Sequence, residues 1–204
     1  MLIALTFDDG PFDHTGALLD ILKELDVLAT FFVMGKNMAS YPAQARQIHE
    51  AGHEIANHTW NHNPMGDANL DEIREEIATS SAVIREITGQ DPAFFRAPNL
   101  NHGANLSEVA AEMGLPIISA DSISRDWEDI DAAQVVENVL NSASDGSIVL
   151  LHEQWNAANR RTMDALPTIV AELRAKGFEF VTLAELVERR GATLQPGQVY
   201  TSVR

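Results

Sequence analysis

An apolar run from Leu2 to Phe7 ends in two adjacent carboxylates, Asp8 and Asp9, followed by the turn signal Gly10-Pro11. Neighbouring side chains of a strand point to opposite faces, so this pair can serve one site only if the strand stops there. Gly10 and Pro11 supply the stop, because Gly accepts positive φ and Pro cannot continue a hydrogen-bonded ladder. Two carboxylates freed in this way can diverge, one towards a metal and one towards a reacting water. An ordinary polar turn is the plainer reading of the same residues. Further along, His58-Thr59-Trp60-Asn61-His62 spaces two imidazoles at i and i+4. One helical turn would bring them onto a common face. A zinc-type site needs neutral ring nitrogens at about 2.0 Å and often a carboxylate, with positions left open for water. Asp9 is the candidate carboxylate. No Glu follows His58, so the pair is not the His-Glu-x-x-His protease motif. The chain has neither a Gly-x-Ser-x-Gly elbow nor a phosphate-binding Gly loop, so hydrolysis would use activated water rather than a serine.

The elements that must position these residues follow from periodicity. Strands are expected over 2–9, 29–33, 53–57, 94–95, 115–120, 147–151 and 178–182. Helices are expected over 15–26, 41–51, 70–88, 105–113, 131–142, 161–176 and 183–190, with Pro167 kinking the helix over 161–176. Seven alternations of strand and helix are the pattern of parallel α/β architecture. A doubly wound sheet competes with a (β/α) barrel, but no Gly-x-Gly-x-x-Gly fingerprint follows the first strand. A full eightfold barrel usually needs about 250 residues. The expectation is therefore a distorted, incomplete (β/α) barrel of seven or eight units. It forms a single domain over 1–204, with a core at 3–190 and an irregular tail at 191–204. In such barrels the chemistry collects at the C-terminal ends of the strands. That rule alone gathers Asp8 and Asp9, His58 and His62, Arg96, Asp126 with Trp127, and His152 at one end of the fold. His14 and His102 are weaker candidates for a substrate groove, and His49 and His53 read as structural.

Bulk properties narrow the partners. The 204 residues are 45% hydrophobic and 22% charged, enough for one full core. A formal net charge of −16 opposes binding to nucleic acid or anionic membranes, and favours a neutral or cationic ligand. With no Cys, redox chemistry leaves the compartment open. No stretch is long and apolar enough to span a bilayer, and no leader pattern precedes the first strand. A secreted or cell-envelope protein with its signal peptide removed is the expectation, with the cytoplasm as the alternative.

Five motifs in order resemble the polysaccharide deacetylase family, carbohydrate esterase family four, over about residues 3 to 190. They are Thr6-Phe7-Asp8-Asp9-Gly10, His58-Thr59-x-x-His62, Phe95-Arg96-Ala97-Pro98, Asp126-Trp127 and Ile148-Val149-Leu150-Leu151-His152. The resemblance implies a distorted (β/α) barrel that binds one divalent metal, Zn or Co ahead of Ni or Fe, and removes acetyl groups from carbohydrate polymers. It makes Asp8 the general base, His152 the general acid, and Asp9, His58 and His62 the metal ligands. Arg96 would orient Asp8, and Asp126 would support the His152 and Arg96 network, Glu153 being a lesser helper. Leu150 and Trp127 would form the pocket for the acetyl methyl. Many members carry Tyr after the motif-three Pro, where this chain has Asn99; its backbone N–H would still serve the oxyanion hole. The substrate implied is an acetylated polysaccharide, with O-acetylated xylan favoured over chitin oligomers and peptidoglycan N-acetylglucosamine. The enzyme is expected to act as a monomer. A non-catalytic carbohydrate-binding relative is the rival of another class, but it would be expected to lack Asp8 or His152.

Overall fold

The computed structural model describes residues 1–153 and 160–204. Strands β1 (Leu2–Asp8), β2 (Thr30–Val33) and β3 (Glu54–Asn57) lie parallel, with helix α1 (Thr15–Glu24) between the first two. Two short helices, α2 (Gly35–Ser40) and α3 (Pro42–Glu50), link β2 to β3, and the 19-residue α4 (Leu70–Thr88) follows. Helix α4 has a full capping box, Asn69 with Glu72, and a left-handed Gly89 at its C-terminal end. Then come α5 (Ala104–Glu112), β4 (Ile117–Ile118), β5 (Ser122–Ile123), α6 (Ala132–Ser142) and β6 (Ser147–His152). The chain ends with α7 (Arg161–Ala175), β7 (Glu179–Phe180), α8 (Leu183–Arg189) and β8 (Val199–Tyr200).

The sheet runs β3-β2-β1-β6-β5, with β7 beside the first residues of β1. Phe95 bridges Asn57 at the end of β3 and Ile117 of β4, which carries the sheet round towards closure. The expected fourth strand at 94–95 is thus a single bridging residue; of 115–120 only Ile117–Ile118 is strand, and β5 follows beyond that span at Ser122–Ile123. The tail is not wholly irregular. Its β8 pairs with β4, and Ser202 bridges Ser147 of β6, so the last residues narrow the gap that the two-residue strands leave. The result is an α/β single domain of the distorted-barrel type.

Alternation along β1 separates two cores. Ile3, Leu5 and Phe7 face the helices, in a cluster with Leu18, Leu22, Phe31, Val149 and Leu151. Ala4 faces the barrel interior with Phe32, Ala56, Ile148 and Leu150. Each Leu, Ile or Phe buried in this way contributes roughly 1.5–3 kcal/mol relative to exposure. The inward face of β1 continues as Thr6 and Asp8, so pleating alone aims Asp8 into the barrel. In register with Asp8 stand Phe32 of β2 and His152 of β6.

Candidate metal and acid–base site

Strand β1 stops at Asp8, and Asp9 takes a left-handed conformation with φ 78°. The reversal therefore falls on Asp9 itself, one residue before the Gly10-Pro11 stop expected from the sequence. It brings both carboxylates to the same imidazole: His58 Nε2 lies 3.5 Å from Asp9 Oδ1 and 3.7 Å from Asp8 Oδ2. His62 Nε2 lies 3.4 Å from the same Asp9 oxygen.

The two histidines do not sit on a helical turn. After β3 the loop has Thr59 at φ 68° and His62 at φ 63°, which no right-handed helix permits. Positive φ is a true outlier for β-branched Thr59. Local hydrogen bonds hold it: Asn57 Oδ1 accepts from Thr59 N at 2.7 Å, and Thr59 Oγ1 accepts from His62 N at 3.0 Å. Gly35 lets this loop approach its neighbours, since a Cβ there would stand 2.6 Å from the Trp60 ring and 2.8 Å from Ser80 Cα. Left-handed residues recur in the other strand-end loops, at Asn99, Leu100 and Arg125. Such strain persists only where surrounding structure determines it, and it gathers at functional sites.

Arg96 serves the site twice. Its guanidinium is fully buried, and Nη1 donates to Asp8 Oδ1 at 2.6 Å and to Thr6 Oγ1 at 2.8 Å. Nη2 and Nε donate to the carbonyls of Ser119 and Ile118, and the Arg96 Cζ lies 4.0 Å over the Phe32 ring. The Arg96 carbonyl, 2.8 Å from His58 Nδ1, can only accept. His58 must therefore carry a proton on Nδ1, which leaves Nε2 facing Asp9. Burial lowers the His58 pKa, but the charges of Asp8 and Asp9 outweigh it and raise the value, so a bound cation would displace the Nε2 proton.

On the other side of Asp8, Asp126 Oδ1 lies 2.7 Å from His152 Nδ1, and Asp126 Oδ2 accepts from His152 N at 2.8 Å and from Thr162 Oγ1 at 2.6 Å. Burial pushes the His152 pKa down, but the Asp126 hydrogen bond and charge, with Asp8 and Asp9 beyond, outweigh it and hold the value at about 9. His152 is thus a cation at neutral pH. For Asp9, burial raises the pKa, and the nearby His58, then His152 and His62, overcome this and hold it at about 2. Burial, then its neighbour His58, lowers that of His62.

The set Asp9, His58 and His62 fits a metal. Its three ligand atoms lie within 4.8 Å of one another. Asp9 Oδ1 is buried without a hydrogen-bond partner among the described residues. Separations of 3.4 and 3.5 Å are long for hydrogen bonds, yet close to the roughly 3.3 Å between ligand atoms that bonds of about 2.0 Å at tetrahedral angles imply.

Trp127 is 52% exposed, its ring 5.2 Å from that of His152, while Leu150 is buried on the inner face that also carries His152. Asn99 occupies an exposed left-handed position in a short 3-10 turn, a conformation that Asn tolerates better than most residues. Glu153 turns towards α1, accepting the Thr15 hydroxyl, with its own N donating to the Asp8 carbonyl. Burial raises its pKa to about 7. His14 stacks on Phe12 in the loop after β1. His53 is structural, its Nδ1 accepting from Ala29 N. Sequence reasoning missed Thr6 and Thr162; a Thr 36 residues from the carboxylate it caps carries no local signal.

The polysaccharide deacetylase family model matches residues 1–118. A bifunctional xylanase/deacetylase of Pseudobutyrivibrio xylanivorans is 40% identical over 193 residues, which cover 93% of this chain and 31% of that protein. A peptidoglycan-N-acetylglucosamine deacetylase of Listeria monocytogenes is 37% identical over 199 residues, 97% of this chain and 41% of that protein. The chain thus spans well under half the length of these curated relatives. The solved structure of a family 4 acetyl xylan esterase from Clostridium thermocellum, in complex with a cobalt ion, superposes with a TM-score of 0.93. It is 38% identical, and the match covers 100% of this chain and 99% of that one.

Proposed function

Because the chain belongs to the polysaccharide deacetylase family, we propose that it hydrolyses acetyl groups from a carbohydrate polymer, with Asp9, His58 and His62 holding one divalent cation. The observation that carries this reading is the pairing of Asp8 with His152. They are register partners on adjacent strands, and Asp9 and His58 stand beside Asp8. A base and an acid thus flank one metal-ready set.

A bound divalent cation supplies Lewis acidity, lowering the pKa of water towards about 7 and polarising a carbonyl oxygen. Zn or Co suits two His and a carboxylate, with Ni and Fe as alternatives. Asp8 takes the proton of the attacking water, and Arg96 fixes the carboxylate by donating to Oδ1, leaving Oδ2 towards the site. The Asn99 N–H donates to the acetyl carbonyl oxygen as its negative charge develops. His152 gives its proton to the departing sugar oxygen or nitrogen, and Asp126 keeps it charged until then. Exposed Trp127 and buried Leu150 receive the acetyl methyl.

O-acetylated xylan is the favoured substrate, a reading supported by the likeness to an acetyl xylan esterase. N-acetylglucosamine in peptidoglycan or chitin oligomers is the second reading, supported by the peptidoglycan deacetylase relative. A polysaccharide substrate supports a location outside the cell or in its envelope. Acetate release from acetylated xylan and from N-acetylglucosamine oligomers, measured side by side after chelation and after Zn or Co is restored, tests the reading. Release from xylan that needs the metal is expected. Activity indifferent to chelation would overturn the metal role, and release from the oligomers alone would overturn xylan.

A further inference from the structure

We propose that Glu76, on α4 and outside the ligand set, is a positioning residue that sets how tightly the site holds its cation. The inference rests on the metal reading above. One Glu76 oxygen accepts from the backbone N–H groups of Trp60 at 2.9 Å and Asn61 at 2.8 Å. The other accepts from the side-chain amides of Asn61 at 3.0 Å and Asn63 at 3.1 Å. A carboxylate has about four acceptor sites, and here four donors from one short loop occupy them.

Those donors bracket His62. Backbone strain lies at Thr59 and His62, on either side of the two N–H groups that Glu76 pins. On the opposite side of the loop the Thr59 and Trp60 carbonyls accept from Gly35 N and Lys36 N. The loop is therefore clamped between α2 and α4, and Glu76 is the charged half of the clamp. Without it, Trp60 and Asn61 would turn their N–H groups to water, and the left-handed turn at His62 would lose its support. His58 has its own anchor in the Arg96 carbonyl, whereas His62 is 30% exposed and depends on the loop. An acidic residue on a helix surface commonly serves solvation alone, as expected for its exposed neighbour Glu75. The packing of α4 rests on Ile73, Ile77 and Ile84, so its fold does not require Glu76.

The test is metal affinity. Metal-free protein would be titrated with Co²⁺ against a competing chromophoric chelator, the Co absorption bands reporting coordination. Glu76→Ala should weaken binding by about 10- to 100-fold, the range for losing an outer hydrogen-bond partner of a ligand. Glu76→Gln should fall between, because its amide keeps one accepting oxygen and sets an NH2 against the other two donors. Glu75→Gln, removing an equal charge one residue away, should bind like wild type. Saturating metal should restore most of the kcat lost in Glu76→Ala. Wild-type affinity in both Glu76 variants would overturn the proposal, as would an equal loss in Glu75→Gln, which would mean charge alone. Failure of the wild-type protein to take up Co²⁺ would instead overturn the metal reading itself. If Glu76→Ala melts early in chelator, Glu76→Gln carries the same comparison.

Discussion

The two sides of Asp8 are built on opposite terms. On the His152 side, Asp126 gathers three donors at 2.6–2.8 Å from His152 and Thr162, so the chain satisfies its own polar groups. On the Asp9 side, two imidazole nitrogens face one carboxylate oxygen at 3.4–3.5 Å, and that oxygen is buried and unpaired among the described residues. One side is complete as an acid held ready. The other brings a desolvated carboxylate and two imidazoles to one point, where a cation would displace the His58 proton and take its place beside Asp9. The difference explains how two halves of a single cleft can respond differently to the same kind of mutation.

Breaking the metal side should produce the largest effect. His58→Ala is expected to lose the metal outright, beyond the roughly 10- to 100-fold typical of outer partners, and activity should fall to background. Equilibrium dialysis with metal analysis measures it. Asp8→Asn stands on the boundary: turnover should drop by about 10²- to 10⁴-fold while metal stays bound. A near-normal rate would remove Asp8 as the base. On the acid side, His152→Ala should cost sugar acetates much more than aryl acetates, whose leaving groups hardly need a proton. Equal losses on both would argue against proton donation.

Smaller effects sharpen the acid side. His152 has a folded pKa of about 9 against 6.5 for the free side chain. Because it is raised, its stabilising contribution is fully present below pH 6.5 and disappears as pH rises through about 9. Activity on poor leaving groups should fall over the same alkaline limb. Asp126→Asn should move that limb to lower pH, and kcat/KM profiles would show it. Thr162→Val removes a donor from Asp126, concentrating its negative charge, so the limb should shift slightly upward, the opposite sign. Loss of a hydrogen bond to a charged group should cost about 1.5–3 kcal/mol in a denaturant melt.

Much of the fold was legible because alternation and capping are local. Helix α4 occupies the expected span, with Asn69, Glu72 and Gly89 marking its ends. Strands β1 and β6 read as apolar runs because both of their faces are buried. The two-residue strands β4, β5, β7 and β8 are shorter than any periodic signal, and only pairing defines them. The helical turn expected at His58–His62 failed for a related reason. The i, i+4 spacing suits a helix, but Glu76 takes the Trp60 and Asn61 N–H groups, and the loop reverses through left-handed residues instead.

The residue types and their order along the chain determined which groups could do chemistry. Carboxylates, imidazoles and a guanidinium followed successive strands, and parallel strands put their ends on one side. Tertiary structure alone decided that Asp8 and Asp9 converge on His58, that Arg96 holds Asp8 with its side chain and His58 with its carbonyl, and that Thr162 and Glu76 belong to the site at all. These facts depend on hydrogen bonds between residues 15 to 88 positions apart. A hydrogen bond is made or lost within tenths of an ångström, and no local pattern in a sequence specifies distance at that scale.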